Sequence, residues 1–147
     1  MTLGVILHVE DDDNWIEIIK KLLQDKKPNL IIQSAKSLKE ARLLYGDFLL
    51  TGHVPELVIL DISLVMENKN DKSGIEFAET LISFGLTEKT SIIILSENVN
   101  IENLVELFRK YKTTVADVFR KGEFRDEIDR FVETVLKCLE KPNYKIC

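Results

Sequence analysis

Asp61 closes the apolar run Leu57-Val58-Ile59-Leu60. A continuous apolar run of that length fits a strand buried on both faces of a parallel sheet. Its carboxylate is then delivered to the C-terminal edge of the strand, where open α/β sheets bind their ligands. Two further apolar runs also end in polar groups. Val5-Ile6-Leu7-His8-Val9 leads into Glu10-Asp11-Asp12-Asp13, and Ile92-Ile93-Ile94-Leu95 leads into Ser96. A shorter run over 116–119 leads into Arg120-Lys121. If these strands are parallel neighbours, acids, a hydroxyl and a lysine converge on Asp61. That is a site for a divalent cation and a phosphoryl group.

The elements that must position these groups alternate as strand and helix five times, which implies a parallel sheet covered on both faces. Strands are expected over about residues 3–9, 30–34, 57–60, 91–95 and 115–119. Helix one, over about 14–25, carries Trp15, Ile16, Ile18, Ile19, Leu22 and Leu23 on one broad stripe. Ser37-Leu38-Lys39-Glu40 is a capping box that opens helix two, with Leu38, Ala41, Leu44, Tyr45 and Phe48 facing inward. Ser73-Gly74-Ile75-Glu76 offers a second such start for helix three, with Ile75, Ala78, Leu81 and Ile82 inward. Helix four is expected over about 101–111. Helix five is expected over about 125–140, with Ile128, Phe131, Val132, Val135, Leu136 and Leu139 buried.

With 147 residues the chain fits one domain with a sizeable core. The expected domain is 1–147, its core about 3–140, followed by a short tail over 141–147 that is too small for an output domain. The formal charge of -5 argues against sequence-independent nucleic-acid binding, which needs a basic footprint. Lys20-Lys21 and Arg109-Lys110 with Lys112 read as solvated helix surface. Cys138 and Cys147 have no metal-type spacing and form no disulfide framework. Cys138 is expected to pack in the last helix. The start lacks a charged n-region, and no apolar run is long enough to span a bilayer. The expected compartment is the cytoplasm, with no membrane partner.

Four motifs together resemble the receiver domain of bacterial two-component response regulators: Val9-Glu10-Asp11, Asp61, Ser96 and Lys121, each after its own strand. The resemblance covers roughly residues 3–140. It implies the flavodoxin-like (βα)5 receiver fold with strand order 2-1-3-4-5, and phosphotransfer from a histidine kinase or phosphotransfer protein to Asp61. A carboxylate can act as the nucleophile toward phosphorus. Negative oxygens resist that attack, so Mg²⁺ is implied as template and charge shield. In this reading Asp11 and Asp61 are direct metal ligands, Glu10 acts mostly through water, and the backbone carbonyl of Ser63 is the third protein ligand. Lys121 pairs with a phosphoryl oxygen, or with Asp61 when that is unmodified, and the Ser96 hydroxyl donates to another oxygen. The chain would be an enzyme only in catalysing its own phosphorylation and dephosphorylation.

Each group also has a plain structural reading. Asp12 and Asp13 read as helix caps, His8 as a buried strand residue, His53 as loop, and Trp15 as packing beside the acids. Ser96 alone could be a turn residue and Lys121 a surface lysine. Asp61 is harder to dismiss, because a carboxylate closing a central strand is costly unless paired.

The sequence also departs from the family pattern. The segment from Val65 to Lys72 is long, polar and free of proline; Glu97 stands where a small residue is usual; and Lys121-Gly122 replaces Lys-Pro. The family's switch aromatic lies three residues before the lysine, where Val118 stands. Phe119 is one residue late, which in a strand means the opposite face. Two alternatives follow: a pseudo-receiver that is not switched by phosphate, and a phosphohydrolase. The second is disfavoured, since Asp61-Ile62-Ser63 lacks a second acid two residues on. Output is expected through a partner protein, or through a second copy of the chain, at the face built by helix four, strand five and helix five.

Overall fold

The computed structural model describes residues 4–62, 76–77, 79–81, 89–97 and 115–140. Five strands form one sheet, β1 (Val5–Val9), β2 (Ile31–Ala35), β3 (Leu57–Leu60), β4 (Ser91–Ser96) and β5 (Val115–Arg120). All pairings are parallel, and the order is β2-β1-β3-β4-β5. This is the expected topology. The order reverses between β1 and β3, which opens a crevice beyond their C-terminal ends.

Both faces of the sheet are covered at its centre, so β3 and β4 read as unbroken apolar runs, while the edge strand β2 is partly exposed. β3 and β4 are buried at every residue. Each fully buried Ile or Leu there contributes roughly 1.5–3 kcal/mol. That burial holds the strand ends in register and so sets where Asp61 and Ser96 stand. On one face Leu7, Val9, Val58, Leu60, Ile92 and Ile94 pack with Ala41 and Tyr45 of α2 (Leu38–Thr51) and with Phe77 and Leu81. On the other, Ile6, Leu57, Ile59, Ile93 and Phe119 pack with Ile19 and Leu23 of α1 (Asp13–Lys26) and Phe131, Val135 and Cys138 of α3 (Ile128–Glu140). Here α3 is the fifth helix of the sequence reading.

Local chemistry sets the helix ends. Asp12 is the N-cap of α1, its side chain accepting from the Asn14 backbone N–H at 2.8 Å. Ser37 caps α2 by accepting from Glu40 N at 3.1 Å, while Glu40 accepts from Lys36 N at 3.2 Å. The expected box therefore forms, with its return bond one residue upstream. α2 stops at Gly52, whose φ of 76° lies in the left-handed region that glycine adopts without a Cβ penalty.

Several expectations need correction. Asp13 is not the cap. It is the first helical residue, exposed, and its carboxylate meets Lys36 Nζ at 2.6 Å. Ile18 is 47% exposed, because the sheet covers a narrower stripe of α1 than its apolar residues span. In the third helix residues 76–77 and 79–81 are helical, and Phe77 is buried with Leu81, one turn apart, although Phe77 was not expected inward. The α3 core also takes in Thr134, while Ile128, Leu136 and Leu139 are only partly buried. A 3-10 turn, Lys121–Asp126, precedes α3, so the helix begins later than expected. Helix four, the loop over 65–72, the Ser73 start and the tail lie outside the described residues. Among the described residues no helix is long and apolar enough to cross a membrane.

Candidate functional site

The ends of four strands meet above the crevice. Asp61 N donates to Val9 O at 3.0 Å and Glu10 N donates to Ala35 O at 2.8 Å, so both acids continue the ladder pattern past their strands. Ser96 pairs with Arg120 in the β4–β5 register, and Lys121 follows directly. Asp61 is 3% exposed, Lys121 8%, and Glu10 and Ser96 are fully buried.

The expected residues converge. Ser96 Oγ donates to Asp61 Oδ1 at 2.6 Å. Lys121 Nζ donates to Asp61 Oδ2 at 3.0 Å and forms an ion pair with Glu10 Oε1 at 2.5 Å. Glu10 Oε2 accepts from Asp12 N at 3.1 Å, a bond that orients the acid toward the crevice. Oxygens of Glu10, Asp11 and Asp61 lie within 4.8 Å of one another. Asp11 Oδ1 is buried with no hydrogen-bond partner among the described residues, a costly arrangement unless a cation meets it. Among the described residues, three carboxylates face one lysine, an oxygen-rich arrangement. That donor set suits a hard divalent cation such as Mg²⁺, with Glu10, Asp11 and Asp61 as its protein carboxylates. Ser63 lies outside the described residues.

The electrostatics follow from burial. Burial pushes the Glu10 carboxyl up to about 7, with the nearby Asp61 charge adding to the rise and Lys121 opposing it. For Lys121 burial works against the charged form, but the bond to Glu10 and the charges of Asp61 and Glu10 outweigh it and raise the ammonium pKa. Burial, helped by the Lys121 charge, depresses His8 to about 3, so His8 is a neutral core histidine, as expected.

Glu10 takes up a proton at higher pH when folded than when unfolded. Its contribution favours the folded state fully below the ordinary carboxylate range and is lost as pH rises through about 7. Without divalent cations, Glu10→Gln should therefore gain on the wild type by on the order of 3 kcal/mol between acid and mildly alkaline pH. Urea melts at a series of pH values measure this. A difference between the two proteins that does not vary with pH would contradict it.

Three features near the site escaped the sequence reading. The Lys121 ammonium sits 5.3 Å from the centre of the Trp15 ring. A register shift in the β4–β5 pairing sets Ile92 opposite Val115 but Ile93 opposite Asp117. Beyond that shift Val118 lies on the α2 face, and Phe119 on the α1/α3 face, edge-on to Phe131 at 5.2 Å. The displaced aromatic is thus a core residue on the opposite side of the sheet from Val118. Asp117 is the third feature. Arg130 Nη1 donates to both its oxygens at 2.9 and 2.8 Å, Arg130 also binds Glu127, and the guanidinium lies 4.2 Å from the Phe119 ring centre. An acid in the middle of a short strand was the available signal, but its partner is thirteen residues away. Glu97 is exposed just past Ser96.

No family model matches the chain, and no curated protein matches it by sequence. Solved structures do. The phosphorylated phytochrome response regulator RcpA of a cyanobacterium superposes with a TM-score of 0.72 at 18% identity, covering 95% of each chain. The non-phosphorylated HemR receiver domain of Leptospira biflexa gives 0.69 at 22%, covering 92% of this chain and 94% of that one. The response regulator TrrA of Thermotoga maritima, in complex with Mg²⁺-BeF, gives 0.66 at 25%, covering 93% and 100%.

Proposed function

We propose that this chain, which has the fold of response-regulator receiver domains, is a phosphoacceptor signalling module that takes a phosphoryl group on Asp61. The observation that carries this reading is the buried triangle of Asp61, Ser96 and Lys121, set beside an Asp11 oxygen that has no partner among the described residues. The neighbours supply context. One was solved phosphorylated, and another in complex with Mg²⁺-BeF.

The residues divide the work as follows. A carboxylate oxygen of Asp61 attacks the phosphorus of a phosphohistidine on the donor protein. The O–P bond forms as the N–P bond breaks, the N–P electron pair stays on the imidazole nitrogen, and that nitrogen takes a proton from solvent. Lys121 and Ser96 already donate to Asp61 and need only shift to meet phosphoryl oxygens. Glu10 and Asp11, with Asp61, would hold Mg²⁺. When bound, the ion neutralises the anionic oxygens of acceptor and donor. Water attack on the acyl phosphate restores Asp61, so the only catalysis is on the chain's own phosphoryl group.

Output follows from the same contacts. Ser96 and Lys121 are the groups most able to move toward a new charge; Ser96 ends β4 and Lys121 directly follows β5. Phosphorylation would then alter binding of a partner protein, or of a second copy, at the face that includes β5 and α3. Arg120 and Asp129 belong to that face; Arg109, Lys110 and Lys112 lie outside the described residues. Hydrogen exchange with and without beryllofluoride should show its largest protection changes within residues 96–125. Changes confined to α1 and α2 would place the output elsewhere.

The lifetime of the phosphoprotein separates this reading from its rivals. A receiver holds the group for minutes to hours, a pseudo-receiver takes up none, and a phosphohydrolase turns over added substrate. The expected result is uptake of one acid-labile group from acetyl phosphate, only with Mg²⁺ or a similar cation.

A further inference from the structure

The one tryptophan of the chain, Trp15, stands half-buried in the first turns of α1. The Lys121 ammonium lies 5.3 Å from its ring centre. That is within the roughly 6 Å over which the negative face of an indole attracts a cation. The ring is itself held in place. Phe124 meets it edge-on at 5.4 Å, and Phe124 in turn packs edge-on against the buried Phe131 at 5.0 Å. A chain of aromatics thus runs from the α3 core to the site lysine.

Lys121 has a flexible stem and three N–H donors. Two directions are taken by Glu10 and Asp61. A third hydrogen-bond acceptor would fix the ammonium in one place, whereas a π face is a broad surface over which it can slide. We propose that Trp15 is a positioning residue for Lys121, keeping the ammonium attracted to one side of the crevice while it moves from Asp61 oxygen to phosphoryl oxygen. The inference rests on the reading of Asp61 as the phosphoacceptor.

The test compares wild type, Trp15→Phe and Trp15→Leu for the rate of phosphoryl uptake from acetyl phosphate at saturating Mg²⁺. Trp15→Leu should be about three- to tenfold slower. Trp15→Phe, which keeps a π face, should recover most of the rate, and Mg²⁺ affinity should stay unchanged in both. Equal slowing in both variants would mean that Trp15 acts by volume alone, and an unslowed Trp15→Leu would mean that it does not act. Proton NMR provides an arm free of phosphoryl chemistry. The Lys121 ε-methylene resonance should be shifted upfield by the ring in wild type and Trp15→Phe, and should relax in Trp15→Leu. An unshifted wild-type resonance overturns the proposal, even if Trp15→Leu cannot be folded. A wild type that takes up no phosphoryl group would sink the phosphoacceptor reading instead, while the resonance still reports on the Trp15–Lys121 contact.

Discussion

Asp11→Ala should weaken Mg²⁺ binding by at least about tenfold, because loss of a residue that merely supports a metal ligand commonly costs about 10–100-fold. Asp11 carries a buried carboxylate oxygen that has no hydrogen-bond partner among the described residues, within 4.8 Å of oxygens from Glu10 and Asp61. Asp13→Ala is the control. Its side chain is 75% exposed and paired with Lys36 across the surface, so affinity should stay within about twofold. Trp15 fluorescence gives the titration, since the ring sits beside Lys121. Equal losses in the two variants would mean that the acidic run is read in the wrong register.

Lys121→Met should be the most destabilising single change at the site in protein free of divalent cations. It removes the ammonium that, among the described residues, pairs with both Glu10 and Asp61, two buried acids. Breaking a buried ion pair by removing one partner costs about 3–5 kcal/mol. The loss should grow as pH rises, because Lys121 is what opposes the upward push of burial and of the Asp61 charge on Glu10, and a protonated Glu10 at lower pH relieves the repulsion. Mg²⁺ should restore part of it by replacing the missing positive charge. Urea melts with and without Mg²⁺ measure both effects. A loss below about 0.5 kcal/mol without the cation would show that Lys121 does not neutralise these acids.

Much of this site was legible because each of its groups follows an apolar run. Leu57 to Leu60 and Ile92 to Leu95 are buried on both faces, so their hydrophobicity is continuous and the polar residue that ends each run stands out. Strand order and parallel pairing then bring Glu10, Asp61, Ser96 and Lys121 together. Features that depend on long-range geometry were not legible. Ile18 and Ile19 are equally apolar in sequence, yet only Ile19 reaches the core, because the sheet sees a narrower stripe of α1. Phe77 is decided by how the third helix is rotated against β3 and β4. The β4–β5 register shift leaves no mark in residue type. Asp12 and Asp13 are equivalent as sequence; backbone geometry makes the first a cap and the second a surface partner of Lys36. The Trp15–Lys121 contact joins two ends of the chain, which local pattern cannot register.

Intact mass after incubation with acetyl phosphate and Mg²⁺ bears most directly on Asp61. Wild type should gain one phosphoryl group, should lose it in acid, and should gain none when the cation is chelated. Asp61→Asn keeps the size and hydrogen-bonding capacity of the side chain but offers no carboxylate nucleophile, and should gain none under any condition. An Asp61→Asn protein modified to the same stoichiometry as wild type would contradict Asp61 as the acceptor, however well its neighbours are placed around it.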